Sequence, residues 1–454
     1  MENTSFLVGI CFLHSPGMAS IQHHPAKSPP VSSSLPRNVW VLAWVAFFND
    51  TATEMSYWLL PQFLAGVLGA GPAAFGLIEG AAETASSFGR LLSGYFSDRW
   101  RRRKPLVAAG YTVANLVKPF LALATSWRQV FWIRFADRGA KGVRAAPRDA
   151  LIADSVSEQH RGSAFGMRQA MDTAGAILGP LSALALLPLF HGNLRPVFWM
   201  AAIPGALSIL LAWLAVREIR PQTRPEREAP AASVASRGAG FQASASPDIW
   251  HLKSETWLVL CAVTLFSLGN SSDLFLVLRA QNLGLRPSLA PALGLVFNFV
   301  YAGLSWPAGK LADRVPRRWL VILGYVIYAG VYAGFALLRT VPQGMGLRPV
   351  SIGTRLSQSA GWQVWALFAI YGTYYALTEG VLKAWIADLV PSTARGTVYG
   401  LLNWIVGVAA FPASLLAGWL WQHYSPATPF ATSSILSLSA AVILLFAGKS
   451  QSNP

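Results

Sequence analysis

Two phrases of this chain each occur twice. Gly94-Tyr-Phe-Ser-Asp98-Arg99-Trp-Arg-Arg102-Arg103 returns as Gly309-Lys-Leu-Ala-Asp313-Arg314-Val-Pro-Arg317-Arg318. Both read G-x-x-x-D-R-x-x-R-R, and each lies between two apolar runs. The segment Ile152–Gly166 returns at Ile386–Gly400 with seven of its fifteen positions identical, Asp154/Asp388 and Arg161/Arg395 among them. The fold must therefore build the same local structure twice, at equivalent places in two similar halves. When such halves are apolar, this is a usual construction for a membrane transporter.

Charge decides where the apolar surface goes. Only 12% of the 454 residues are charged while 53% are hydrophobic, against about 25% charged in a soluble globular protein. A bilayer has to cover most of this surface. The net charge of +16 reads as Lys and Arg held on the cytoplasmic side. It does not read as a nucleic-acid patch, because the basic clusters sit in short loops between apolar runs. Cys11 and Cys261 are far apart, so no disulfide is expected.

The hydropathy pattern predicts an all-α polytopic membrane protein. Twelve transmembrane helices are expected at about 39–64, 73–98, 104–125, 128–153, 162–189, 195–215, 255–280, 289–312, 317–338, 362–388, 395–421 and 427–447. Each is long enough to span about 30 Å of hydrocarbon. They group as two six-helix bundles, 38–215 and 255–448. A disordered N-terminal tail, 1–37, precedes them. A Pro-, Ser- and Arg-rich cytoplasmic linker, 216–254, joins them. The basic loops place both termini in the cytoplasm, with the inner (plasma) membrane as the expected location.

At this point the motifs form a recognisable set. The chain resembles the major facilitator superfamily over about 38–447, and in its motifs the bacterial proton-coupled efflux, or antiporter, branch. The loop Gly94, Asp98, Arg99, Arg102, Arg103 looks like that superfamily's signature motif A. Gly309, Asp313, Arg314, Arg317 and Arg318 form its echo. The resemblance implies a latch that holds the two halves in one conformation. Gly175, Gly179 and Pro180 look like the G-x-x-x-G-P of the antiporter motif C, a helix-5 hinge with close helix approach. Helix 4 departs from the drug:proton antiporters: Lys141 and Arg144 replace neutral positions after Arg138. The resemblance also implies the fold of two pseudo-symmetric bundles, a central cavity lined by helices 1, 4, 7 and 10, and alternating access.

Ionisable groups at bilayer depth are costly and mark either function or an internal lattice. Helix 1 carries Asp50 and Glu54, helix 2 Glu79 and Glu83, and helix 5 Arg168 and Asp172, each at i,i+4. Helix 4 carries a stripe of Arg134, Arg138, Lys141 and Arg148. Helices 7 and 10 add Asp273, Glu379 and Lys383. Two readings compete. In one, these charges form salt bridges that hold the first six helices together. In the other, Asp50, Glu54 and Asp172 are proton-coupling candidates, and Arg134, Arg138, Lys141, Asp273 and Glu379 bind a small-molecule substrate. Protonating a carboxylate would release its arginine to bind an anion. The function expected is secondary active transport, as proton-coupled efflux of a small anionic or zwitterionic organic compound. Proton-coupled uptake of an organic anion is the alternative, and a non-transporting membrane sensor a more remote one. No enzyme motif, metal-ligand cluster or cofactor motif is present in the sequence. The partners expected are the lipid bilayer, the substrate and protons, not nucleic acid, and the carrier is expected to be a monomer.

Overall fold

A computed structural model describes residues 35–100, 102–157, 160–218, 254–338, 361–390 and 395–447. Within these residues every regular element is a helix. The first half comprises α1 (Arg37–Tyr57), α2 (Pro72–Trp100), α3 (Lys104–Val117), α4 (Trp127–Ser155) and α5 (Arg161–Leu189), then α6a (Leu194–Met200) and α6b (Ala202–Leu214). The second comprises α7a (Ser254–Gly269), α7b (Leu274–Asn282), α8 (Ala290–Ala312), α9 (Arg317–Leu337), α10 (Gly361–Leu389), α11 (Arg395–His423) and α12 (Thr428–Phe446). The expected tail and linker fall almost wholly outside the described residues.

Eight of these helical stretches are long and apolar enough to cross a bilayer. The four other long helices, α1, α2, α4 and α10, carry Asp50, Glu54, Glu79, Glu83, the helix-4 bases, Glu379 and Lys383.

Four expected helices are interrupted, helix 6 only at Ala201, between α6a and α6b. α1 stops at Tyr57, and a short helix at Leu60–Gln62 and a π-turn at Phe63–Val67 carry the chain on. After Val117 the chain tightens into a 3₁₀ segment, Lys118–Leu123, where Pro119 has no N–H to continue the α pattern. Helix 7, expected unbroken over 255–280, opens at Asn270–Asp273. Gly269, Asn270, Ser271 and Ser272 are poor helix formers in sequence, and the polar ones compete for backbone groups.

Glycines bring the helices of the first half into contact. A Cβ on Gly142 of α4 would lie 2.1 Å from the Ser86 carbonyl of α2. One on Gly175 of α5 would lie 2.5 Å from the Phe47 carbonyl of α1. The second half has such contacts as well, Gly372 against the Phe297 carbonyl among them, and adds stacked aromatic rings: Phe266 on Tyr325 at 4.1 Å and Tyr328 on Tyr332 at 4.0 Å.

The halves touch at one end and stand apart at the other. Near the start of α2, a Cβ on Gly76 would lie 2.1 Å from the Ser414 carbonyl, and one on Gly80 2.9 Å from that of Phe411. Thr84 Oγ1 donates to Gly407 O at 3.1 Å, and Asn298 Nδ2 to Ala176 O at 3.2 Å. At the opposite end, that of the arginine loops, Gly162, Gly166, Gly309, Gly380 and Gly400 meet nothing within 4 Å. A cavity of about 380 Å³ opens there, with Gly309 and Gly380 in its wall.

Both duplicated phrases meet in space. Arg103 bonds the Asp154 carboxylate and the Ala150 carbonyl (2.9 Å) at the end of α4. Arg317 bonds Asp388 (2.5 Å) and the Ala384 carbonyl (3.2 Å) at the end of α10. The first phrase supplies the arginine and the second the aspartate, once in each half. Asp313 is a further partner of Arg317, at 3.9 Å. Arg99, Arg102 and Arg314 are exposed, and Arg318 lies 4.9 Å from the Trp319 ring. Gly94 faces Ala146 at ordinary contact distance. The Asp98 side chain lies outside the described atoms.

Arg279, 1% exposed, staples α7b to the end of α9. Its guanidinium donates to Phe335 O (3.1 Å), Leu338 O (2.6 Å) and Asn282 Oδ1 (2.6 Å). Arg279→Met removes these donors, and thermal unfolding of the purified protein should report a loss of about 2–4 kcal/mol. In a chain lacking Cys11 and Cys261, cysteine at Gly309 or Gly380 should react readily with a hydrophilic maleimide. Cysteine at Ser414, 2% exposed, should react far more slowly. Equal rates would contradict the open and closed ends described above.

Candidate functional site

The charges of the first half form one buried network. Arg134 of α4 meets Glu79 of α2 in a two-pronged pair, Nε to Oε1 and Nη2 to Oε2, both 2.9 Å. Arg134 also reaches Asp137 at 3.4 Å, and Asp137 lies 3.6 Å from Lys118 Nζ. Lys118 donates to Asn115 Oδ1 (3.0 Å), Asn115 to Asn49 Oδ1 (3.2 Å), and Asn49 to Asp50 Oδ1 (2.8 Å). Glu79, Lys118, Arg134 and Asp137 are all buried. A fork-on-carboxylate pair with further hydrogen bonds is how ionised groups persist in a low-dielectric interior.

Next to this network lies a cavity of about 330 Å³ between the halves. From the first half, Glu54, Tyr57, Trp58, Glu83, Arg138 and Lys141 face it; from the second, Asp273, Phe297, Asn298 and Tyr375 do. Arg138 pairs with Glu83 at 3.4 Å, and its guanidinium lies 5.4 Å from the Tyr57 ring centroid. Glu54 accepts from Trp58 Nε1 at 2.8 Å. Asp273 accepts from the Tyr371 (2.7 Å) and Tyr375 (3.2 Å) hydroxyls. Lys141 is exposed to the cavity and has no hydrogen bond or ion pair among the described residues.

The break in helix 7 aims Asp273. Tyr328 donates to the Gly269 carbonyl at 3.1 Å, and the Ser272 N–H is bound by Ser414 Oγ at 3.2 Å. Ser272 Oγ in turn donates to Glu79 Oε2 at 3.3 Å. The opened backbone is thus satisfied by side chains, as membrane depth requires. It also touches the network of the other half.

The sequence-predicted residues divide accordingly. Glu54, Arg138, Lys141 and Asp273 come together in the cavity wall. Arg134, expected to face substrate, does not line it: Glu79 takes both prongs of its guanidinium. Asp50 also lies behind the wall, tied to Asn49. Asp172 pairs with Arg168, which reaches Asp149 at 3.6 Å. Glu379 belongs to the second cavity, where it accepts from the Tyr301 hydroxyl at 2.6 Å and lies 3.8 Å from Lys383. The helix-5 glycines seat the helix-1 acids: a Cβ on Gly175 would lie 3.2 Å from that of Asp50, and one on Gly179 2.7 Å from that of Glu54. α5 runs through Pro180 without ending. Sequence reasoning gave no site role to Glu79, Tyr57 or Trp58. The signal was there: Tyr57 and Trp58 follow Glu54 at i+3 and i+4, and Glu79 precedes Glu83 by four.

Long helices in two halves around a charged cavity, with no strand among the described residues, make the body of a multi-pass membrane carrier. The sequence profile of the Major Facilitator Superfamily matches residues 42–410, and the chain belongs to that superfamily, whose members are secondary transporters rather than enzymes. An uncharacterised MFS-type transporter of Methanocaldococcus jannaschii is 32% identical over 418 residues, 91% of this chain and 95% of that one. A probable 4-methylmuconolactone transporter of Cupriavidus pinatubonensis is 25% identical over 402 residues, 86% and 84% of the two chains. The crystal structure of the nucleoside transporter NupG superposes with a TM-score of 0.66 at 13% identity, covering 90% of this chain and 99% of that one. At that identity the likeness is one of fold.

Glu79→Gln should leave Arg134 as a buried charge without its main partner and cost about 3–5 kcal/mol. Adding Arg134→Gln should return part of that loss, so the two changes are non-additive by at least about 1 kcal/mol. Unfolding of the four proteins of the cycle is the measurement. Additive losses would mean that the pair is not the unit described.

Proposed function

We propose that this chain exports a small organic compound bearing an anionic or zwitterionic group, in exchange for protons, by alternating access. The observation that carries this reading is Lys141. A cation with no hydrogen bond or ion pair among the described residues, in the wall of a cavity of this size, asks for an anion to complete it. Arg138, already paired with Glu83, can share in that contact when Glu83 lets go. Glu54, in the same wall and bonded only by a neutral indole, is the proton carrier. Asp50, one turn away on α1, is a second candidate.

The seating of Gly175 and Gly179 on Asp50 and Glu54 supports exchange. It puts the helix-5 glycines of the antiporter-like motif against the two acids that would carry protons. The name of the Cupriavidus relative agrees with a small organic substrate. Uptake by symport keeps one observation in its favour, the excess of base on α4. The arginine-rich loops support a plasma-membrane orientation with both termini cytoplasmic, and the reading is of a monomer. In that orientation the arginine-loop end, where the cavity of Glu379 opens, faces inward.

In proteoliposomes with an imposed pH gradient and a pool of organic anions, the wild-type chain should move protons only when an anion is present. Glu54→Gln should reduce that movement at least about tenfold, roughly 1.4 kcal/mol in barrier. Unchanged pH-driven transport in Asp50→Asn, Glu54→Gln and the double variant would sink the assignment. The sign of the pH effect separates export from uptake: a symporter accumulates anion when the outside is acidified, and an antiporter expels it.

A further inference from the structure

We infer that the central cavity is built for a zwitterion, with a protonated amine on Asp273 and the anionic group on Lys141. This rests on the reading of the cavity as the substrate site, and adds to it the second charge and its place.

Some of the charges facing the cavity are already answered. Five ionisable groups other than tyrosine face the cavity: Glu54, Glu83, Arg138, Lys141 and Asp273. Glu83 and Arg138 answer each other at 3.4 Å. Glu54 sits on the first-half wall with the Trp58 indole at 2.8 Å and is reserved for the proton. What remains is Lys141 on α4, with no described partner, and Asp273 at the helix-7 break, held only by the hydroxyls of Tyr371 and Tyr375. They carry opposite signs and stand on opposite halves of the molecule.

The wall around Asp273 favours a cation in three ways. The carboxylate accepts only from neutral donors, the Tyr371 and Tyr375 hydroxyls. α7a ends at Gly269 beside it, so the carbonyl end of a half-helix, with Ser267 and Asn270 in the wall, points to the same place. The aromatic side chains of Phe297, Tyr375 and Trp58 complete the surface. Phe297 lies 5.1 Å from Tyr375 and 5.6 Å from Tyr371, centroid to centroid, and 6.4 Å from Trp58. Ring faces attract ammonium groups, most strongly where water is excluded. The opposite wall, with Lys141 and Arg138, favours an anion.

A purely anionic ligand would answer Lys141 and leave Asp273 facing it with the same sign. A purely cationic ligand would do the reverse. Either leaves one charge without a partner when the site closes and water is expelled, which is the expensive case. A ligand with both charges answers both walls and ties α4 to α7.

The test uses purified full-length protein and ω-amino acids of three to six carbons, each compared with the carboxylic acid and the primary amine of the same chain length. Dissociation constants come from isothermal titration calorimetry. At the best length the amino acid should bind at least about tenfold more tightly than its acid and its amine. Asp273→Asn should erase the advantage over the acid, the amino acid losing affinity while the acid's own affinity holds or rises. Lys141→Gln should erase the advantage over the amine. Retained unfolding midpoints, and Asp273→Glu restoring part of the advantage, separate a ligand contact from a structural loss.

If acids bind as tightly as amino acids at every length, and lose binding in Lys141→Gln, the anion reading stands and this inference is overturned. If amines bind as tightly as amino acids without dependence on Lys141, both are overturned. No binding by any member of the series overturns the inference as well.

Discussion

The pairing of Arg134 with Glu79 is the contact on which the first half depends. Two ions at membrane depth each cost several kcal/mol to strip of water. That cost is offset only when geometry is close to ideal and the remaining donors are used. Here both prongs of the guanidinium meet both carboxylate oxygens, and Asp137, Lys118 and Asn115 extend the chain of partners. Removing Glu79 takes from Arg134 its main partner, and removing Asp137 takes from Lys118 its carboxylate. The network therefore holds α1, α2, α3 and α4 in one arrangement and fixes where Arg138 and Lys141, one and two turns further along α4, enter the cavity.

Glycine does the complementary work. Where Gly142 meets Ser86 and Gly179 meets Thr51 and Glu54, backbones approach too closely for any side chain. Such contacts supply van der Waals packing where lipid removes the hydrophobic driving force between helices. In the first half they also set the distance across which the charged side chains must reach. The second half, with its stacked tyrosines, holds Asp273 by hydroxyl groups rather than by ions. The asymmetry of charge between the halves thus corresponds to two ways of keeping a polar group inside a membrane.

Much of this was legible in the sequence, and the parts that were not share a cause. Most helix ends fell within two or three residues of expectation, because apolar runs at bilayer length admit few alternatives. The duplicated phrases marked equivalent loops. Their alignment, however, pairs Arg102 with Arg317, whereas in space Arg103 does for Asp154 what Arg317 does for Asp388. A shift of one residue is invisible to a motif and decisive for a side chain. Arg134 and Arg138 stand on one stripe at i and i+4, yet one is spent on Glu79 and the other faces the cavity. Helical periodicity gives the face of a helix, not which partner stands opposite. The break at Asn270–Asp273 was signalled by a glycine and two serines, but its use in aiming Asp273 depends on Tyr328 and Ser414, which are remote in sequence.

Glu79 has one further property that bears on motion between the halves. Its two oxygens are already committed to Arg134, and Ser272 Oγ of the second half adds a third, longer bond at 3.3 Å. Separating α2 from α7 breaks that neutral-donor bond, worth about 1 kcal/mol or somewhat more to a charged acceptor, and the Phe75–Phe275 ring contact, but no ion pair. The ion pair stays whole on its own side. Had Glu79 paired with a base of the second half instead, every opening at this end would strand two charges in the bilayer. The cross-half contacts of α2 and α5 follow the same economy. Thr84 with Gly407, Asn298 with Ala176 and the Ala73 N–H with Gln422 are neutral hydrogen bonds, Phe75 packs on Phe275, and Gly76 and Gly80 meet backbone. The ionic contacts described between elements lie within a half. Charge is spent on holding each bundle rigid, and weaker neutral contacts are left where the bundles meet, which is the distribution a part that moves requires.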